Sequence, residues 1–340
     1  MENKEIEWLR RLKGKDVKSA KQSAKQKNKQ KNKKKDDGQQ PNAERAPQPS
    51  NVAKPKGNGM KDIAGMNDLK EKIQDEFIDV INHPDQAKRF GINPPSLLFY
   101  GPTGCGKTYF AEKMAEEIGI NFMKVVPDDI ANQFCHGTQQ LINQVFSEAE
   151  KKAPTLLFFD EFDCMVPKRS HCEGNRHMNG EVNEFLCMLN NASERGIYVV
   201  AATNHPEFID SAVLRSGRID EMVYIDMPDE ESRKSLFSLA LSKLPVEDSI
   251  DTNTLATMTK GYNCSDISYI VKKAARKVFK NNIHDAEGKE HNITQQILEE
   301  IISAQRPSIT AKELREYERV RSEFSPKDDA KKPVRIGFRQ

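Results

Sequence analysis

The chain has 340 residues, and 53 Lys and Arg stand against 51 Asp and Glu, a formal net charge of +2. That average hides a split, since residues 1–60 hold 17 basic and 7 acidic side chains, net +10, which leaves 36 and 44, net −8, for residues 61–340. A mildly acidic body argues against a duplex binder with a basic folded face. Six Cys without a CxxC pair exclude a disulfide scaffold, and no apolar run of about 18 residues offers a transmembrane helix. The opening MENKEIEWLRRLKGK lacks an apolar signal core, so the expected setting is the reducing cytoplasm.

Along the chain, Ile6, Trp8, Leu9 and Leu12 could share one face of a short docking helix; the alternative is a frayed terminus. Residues 14–58 are mostly Lys, Gln, Asn, Ser, Pro and Gly, and Lys15–Lys35 holds ten Lys and one acid. So little apolar surface cannot offset ordering entropy, and residues 1–58 read as a disordered basic tail. Leu69, Ile73, Phe77 and Val80 predict a helix over 67–82. Strands are expected at Leu97–Tyr100, Asn121–Val126, Thr155–Asp160, Ile197–Thr203 and Met222–Ile225. Helices are expected at Lys107–Ile118, along the stripe Leu141, Ile142, Val145, Phe146, Ala149, and at Gly180–Leu189. The alternation implies an αβα parallel sheet over 59–228, covered on both faces.

After Pro228 only helical periodicity remains. Ile267, Ile270, Val271, Ala274, Ala275, Val278 and Phe279 form one stripe, with Asn263 and Asp266 placed to cap it. Thr310 and Glu313 read as a capping box before Leu314, Tyr317, Val320 and Phe324. Residues 229–324 are therefore expected as a small helical domain, and 325–340 as a flexible tail.

Between the first strand and its helix stands Gly101-Pro102-Thr103-Gly104-Cys105-Gly106-Lys107-Thr108, a match to G-x-x-x-x-G-K-[ST]. Glycines let backbone N–H groups curl around phosphates, and the helix N-terminus adds its positive dipole end. Lys107 supplies a point charge for the β and γ phosphates of ATP, and Thr108 a hydroxyl for Mg²⁺. Cys105 is either a small filler or an oxidation-prone thiol. Asp160 and Glu161 close a nearly all-apolar strand, at the end where ligands of parallel sheets sit. Asp160 suits the Mg²⁺ shell, and Glu161 suits activation of a water for in-line attack. The strand VVAATN ends on Asn204, an amide able to touch the γ-phosphate or the water. Arg215 and Arg218 follow as candidate extra cations.

Taken together, these residues resemble an AAA-type ATPase of the wider AAA+ class over about residues 60–324. Asp62-Ile63-Ala64-Gly65 resembles the family's adenine-side entry segment, so Ile63 and Gly65 are implied nucleotide contacts. FFDEFD resembles its Walker B, and AATNHPEFIDSAVLRSGRIDEMVYIDMPDEESR its second region of homology. RPSITAKELREYERV is similar to the closing helix of valosin-containing and katanin/spastin-like members. The resemblance implies a P-loop sheet with a helical lid and Asn204 as sensor 1. It also implies Arg215 and Arg218 as fingers reaching the ATP of a neighbouring subunit, hence a homo-oligomeric ring, usually a hexamer, acting on a protein client or through an adaptor. Three places depart from the family. Cys135 holds the aromatic position of the first pore loop, with Phe134 one place early, so a polypeptide-threading pore is not implied. Cys264 replaces a Gly in the lid signature, and Asn190-Asn191 stands where relatives carry an Asp-Gly turn.

Three weaker signals stay open. Cys164, His171, Cys172 and His177 share one segment but fit no zinc spacing well. The Lys-rich run 15–35 admits weak polyanion contact, an anionic membrane surface or a solvating spacer. Alternatives to a remodelling ATPase are a nucleotide-gated binding module that hydrolyses little, and a nucleic-acid motor or loader gripping through the tail.

Overall fold

A computed structural model describes residues 52–53, 57–130, 137–168, 176–284 and 290–324. The Trp8 segment, the Lys-rich run and Phe134–His136 lie outside them, as does everything after 324. In chain order the first elements are strand β1 (Val52–Ala53), helix α1 (Asn67–Ile73), a π turn (Gln74–Ile78), α2 (Asp79–Asn82) and α3 (Pro84–Phe90). Strand β2 (Leu97–Tyr100), α4 (Lys107–Ile118), β3 (Asn121–Val125), α5 (Pro127–Ile130), α6 (Gly137–Lys151) and β4 (Thr155–Phe159) follow. They lead into α7 (Phe162–Met165), α8 (Arg176–Leu189), β5 (Ile197–Thr203) and β6 (Glu221–Tyr224). The sheet order is β1-β3-β4-β5-β2-β6, with every pairing parallel except β1 with β3.

The apolar run of β4 makes physical sense here, because both faces of the sheet are covered. Leu157 and Phe159 enter one core with Ile142, Phe146 and Phe185, while Leu156 and Phe158 enter the other with Phe77, Phe110 and Met114. The expected strands lie where the sequence places them, but Val126, Asp160 and Ile225 fall one residue beyond the strand ends. Val52 and Ala53 correct the reading of a wholly disordered tail. They pair with Met123 and Phe122 and close the open edge of β3, which offers unpaired backbone groups to any extended segment.

Residues 230–304 form α9 (Glu230–Leu241), α10 (Thr252–Met258), α11 (Cys264–His284) and α12 (Gln295–Ala304) around a core that includes Phe237, Leu255, Ile270, Ala274 and Leu298. Asp229 caps α9 by accepting the Ser232 N–H at 2.8 Å, and Thr294 caps α12 through the Ile297 N–H at 3.2 Å. The buried guanidinium of Arg233 ties α9 to the segment that leads into it and to α10, donating to the Pro228 carbonyl (2.9 Å) and twice to that of Ala256 (3.1 and 2.9 Å). Phe279 corrects the expected stripe: it is 67% exposed, because the lid core ends at Val278 and the last turns of α11 run past it. The closing helix α13 (Ala311–Phe324) carries the expected capping box. It rests on the sheet domain: Phe324 packs edge-on to Tyr100, and Arg321 pairs with Asp226 at 3.0 Å and lies over the Tyr224 ring.

Candidate functional site

Three strand ends converge on one cleft: the loop after β2, the acidic pair after β4 and Asn204 after β5. The loop 101–106 needs its glycines for different reasons. A Cβ on Gly101 (φ +138°) would stand 2.3 Å from the Ile225 carbonyl oxygen, and one on Gly104 would stand 2.6 Å from Nδ2 of Asn263. So Gly101 lets the strand turn under its neighbour, and Gly104 lets the lid touch the loop.

Lys107 opens α4 and folds back into the loop. Its buried ammonium donates to the carbonyls of Gly101 and Pro102 (2.9 Å each) and to Oδ1 of Asn204 (2.7 Å). All three partners are neutral, and burial pulls the Lys107 pKa down to about 8. A buried cation solvated only by neutral oxygens fits an incoming anion. Thr108 donates its hydroxyl to Oδ2 of Asp160 at 3.1 Å. The other Asp160 oxygen accepts the Glu161 N–H at 3.1 Å. Glu161 sits in the left-handed region (φ 50°, ψ 46°), a conformation that costs a non-glycine residue of order 1–3 kcal/mol and concentrates at functional sites. Behind it, Thr203 donates its hydroxyl to Asp163 and accepts the His205 N–H, fixing the strand tip that presents Asn204.

Two cavities share this floor. One, about 350 Å³, is lined by Lys107, Thr108, Asp160, Glu161 and Asn204. The other, about 660 Å³, is lined by apolar groups of both domains, among them Ile63, Phe110, Leu236 and Tyr269. They meet at Gly104, Gly106, Tyr109 and Ser265. A polar chamber opening into an apolar one suits phosphates joined to a flat nucleobase. The donor set beside the polar chamber is a carboxylate and a hydroxyl, hard oxygens that fit Mg²⁺, which keeps several waters and phosphate oxygens of its own. Among the described residues no group of three or more His, Cys, Asp or Glu could hold a metal. Of the zinc candidates only the side chain of Cys164 is described.

The lid closes the floor through α11. Asn263 donates Nδ2 to the Thr103 carbonyl (3.0 Å) and to Oγ of Ser308 (2.9 Å), and its Oδ1 accepts the Asp266 N–H (2.8 Å). The Ser265 N–H donates to the Gly104 carbonyl at 3.1 Å, and Cys264 points its thiol at the Cys105 carbonyl. Cys105 is buried, with Sγ 3.5 Å from Sδ of Met227, and burial pushes its thiol up to about 12, which favours filler over an oxidation-prone thiolate.

Of the residues singled out in the sequence, Thr103, Gly104, Gly106, Lys107, Thr108, Asp160, Glu161 and Asn204 all line the polar chamber, and Ile63 and Cys105 line the apolar one. Gly65 packs instead against Ser232 of the lid, where a Cβ would stand 1.8 Å from the hydroxyl. Arg215 and Arg218 border neither cavity. Arg215 is exposed, and Arg218 donates to the Ala212 carbonyl at 2.6 Å. The sequence reading passed over Lys124, whose ammonium lies 2.7 Å from Asp160 Oδ2. The available signal was a single charge inside the strand Asn-Phe-Met-Lys-Val.

Residues 97–227 match the family model described as ATPase family associated with various cellular activities (AAA). This segment is similar to an AAA domain. The match supports nucleotide binding and an ATPase of that family, and its bounds run from the first residue of β2 to the residue before Pro228, enclosing both strand-end motifs and the two arginines. Among the described residues no helix is long and apolar enough to cross a membrane.

Proposed function

We propose that the chain is a Mg²⁺-dependent ATP hydrolase that works as a ring of its own copies, usually six in proteins it resembles, to remodel a protein client or assembly. The observation that carries the proposal is the convergence of Lys107, Thr108, Asp160, Glu161 and Asn204 on one polar chamber beside an apolar one. In this reading the apolar chamber takes adenine, and the backbone of Gly101–Gly106 takes the phosphates. The Lys107 ammonium exchanges its neutral partners for phosphate oxygens. Mg²⁺, held by Thr108 and Asp160, supplies charge neutralisation on the phosphates. Glu161 accepts a proton from the attacking water, and Asn204, released by Lys107, orients that water or the γ-phosphate.

Arg215 and Arg218 lie away from the cavities of their own chain, which supports action on a neighbour's γ-phosphate and hence a head-to-tail ring. The experiment that tests the hydrolytic reading is Glu161→Gln. It keeps Lys107, Thr108 and Asp160, so the variant is expected to bind ATP with affinity near that of the wild type while turnover falls roughly 10²-fold or more. Turnover at the wild-type rate would assign the water to another residue. Little turnover in the wild type itself would favour a nucleotide-gated binding module.

A further inference from the structure

Lys124 is the only charged residue of β3, and it does not point idly into solvent. Its Nζ stands 2.7 Å from Oδ2 of Asp160, the residue just past the end of the adjacent strand β4. That same oxygen accepts the Thr108 hydroxyl at 3.1 Å, while Oδ1 is occupied by the Glu161 N–H. The carboxylate read above as a Mg²⁺ ligand therefore has an internal cation on the oxygen it shares with Thr108. The two side chains are 36% and 24% exposed, so the ammonium has room to swing toward water.

We propose that Lys124 is a positioning residue that competes with the divalent cation for Asp160, and so sets how much free Mg²⁺ the nucleotide site requires. The inference rests on the reading of this cleft as a nucleotide site. Two cations do not share one carboxylate oxygen without repulsion, so the arriving metal must displace the ammonium or bind beside it at reduced affinity. The ammonium meanwhile keeps Asp160 turned toward Thr108, which leaves both ligands assembled.

Competition and simple support predict opposite signs. If Lys124 only braced Asp160, its removal would weaken metal binding. If it competes, removal strengthens it. The test is binding of a fluorescent ADP analogue to the full chain, read without turnover, across a Mg²⁺ titration and in EDTA. For Lys124→Met the free Mg²⁺ giving half-maximal enhancement of binding is expected to fall about tenfold, the shift made by ~1.4 kcal/mol. Lys124→Arg keeps the charge and is expected to stay within about twofold of the wild type, as tenfold corresponds to a far larger energy change. Lys124→Gln, suited to a half-exposed strand position, gives the same reading should the Met variant fold poorly. An unchanged or raised Mg²⁺ requirement in both neutral variants overturns the proposal while leaving the nucleotide site standing. A wild-type chain that binds no analogue with or without Mg²⁺ overturns the site reading itself.

Discussion

Lys107 shows what a single side chain decides in this cleft. Burying an ammonium costs several kcal/mol unless hydrogen bonds offset it, and here the Gly101 and Pro102 carbonyls and the Asn204 amide do so. Lys107→Ala leaves those oxygens without their donor and removes the charge meant for phosphate. Nucleotide affinity is expected to fall at least about tenfold to a hundredfold, since a bond to a charged group contributes roughly 1.5–3 kcal/mol. Equilibrium binding of a fluorescent nucleotide checks this, and affinity within twofold of the wild type would contradict it. Lys107, Thr108, Asp160, Glu161 and Asn204 were legible in the sequence because each sits at a fixed offset from a strand end. Two features of the same cleft were not legible. The left-handed backbone of Glu161 is a property of φ and ψ that no residue type signals, since Glu rarely adopts it. Lys124 reads as an ordinary solvated charge until β3 and β4 are laid side by side, because their register sets it opposite Phe158 and its long side chain then reaches Asp160 two residues on.

Between elements, the decisive contact joins α11 to the loop before α4. Asn263 is 1% exposed and bonds the loop carbonyl of Thr103, Ser308 and the Asp266 N–H together. Asn263→Ala removes these bonds and leaves the Asp266 N–H at the buried start of α11 without its acceptor, at a cost of about 1–3 kcal/mol. The loss is measurable as a lower denaturation midpoint, and a midpoint equal to that of the wild type would show that the lid docks by other means. A second contact between elements is made at the short helical turn Gly59–Asp62, which α4 holds through Lys113, 2.9 Å from Asp62. Bonds from Asn58, then from Lys113, bring the Asp62 pKa down from 3.8 to about 2. Because the folded value lies below the unfolded one, this stabilisation is present above about pH 4 and is lost as pH falls toward 2. Asp62→Asn should therefore melt below the wild type at pH 6, with the gap closing over that acid window; a gap independent of pH would contradict the pairing. The sequence showed that α11 exists and where it starts, from the Asn263–Asp266 cap. It misjudged where its burial ends, because a 3–4 repeat continues to Phe279 whether or not a partner helix is there to receive it.

At the scale of the molecule, two cores pack against opposite faces of one sheet and a third fills the lid, and the cleft proposed to take nucleotide lies where the sheet's carboxyl edge meets that lid. This architecture was readable because short continuous apolar runs, as in β2, β4 and β5, alternate with longer runs of period near four. The β1 pairing was not readable, since two residues carry no period. It changes what truncation should do: removing residues 1–46 should leave nucleotide binding and basal turnover within about twofold. Removing residues 1–58 also uncovers the backbone edge of β3 and should promote aggregation, visible by light scattering. Equal solubility of the two truncations would show that β1 protects nothing.

In the proposed ring a complete hydrolytic site is shared between copies of this chain, with Glu161 from one and Arg215 and Arg218 from the next. Either Arg→Ala variant should lose turnover roughly 10²-fold or more with nucleotide binding nearly unchanged, because a finger stabilises transition-state charge. Mixing measures the sharing itself. A chain lacking both arginines but keeping Glu161 is combined with a Glu161→Gln chain that keeps both arginines, and turnover is followed against the mixing ratio. Sharing predicts activity in the mixture well above the sum of the two inactive variants, from interfaces where one chain's Glu161 faces the other's arginines. Activity equal to that sum at every ratio, together with a monomer that hydrolyses ATP at the full rate, would contradict it.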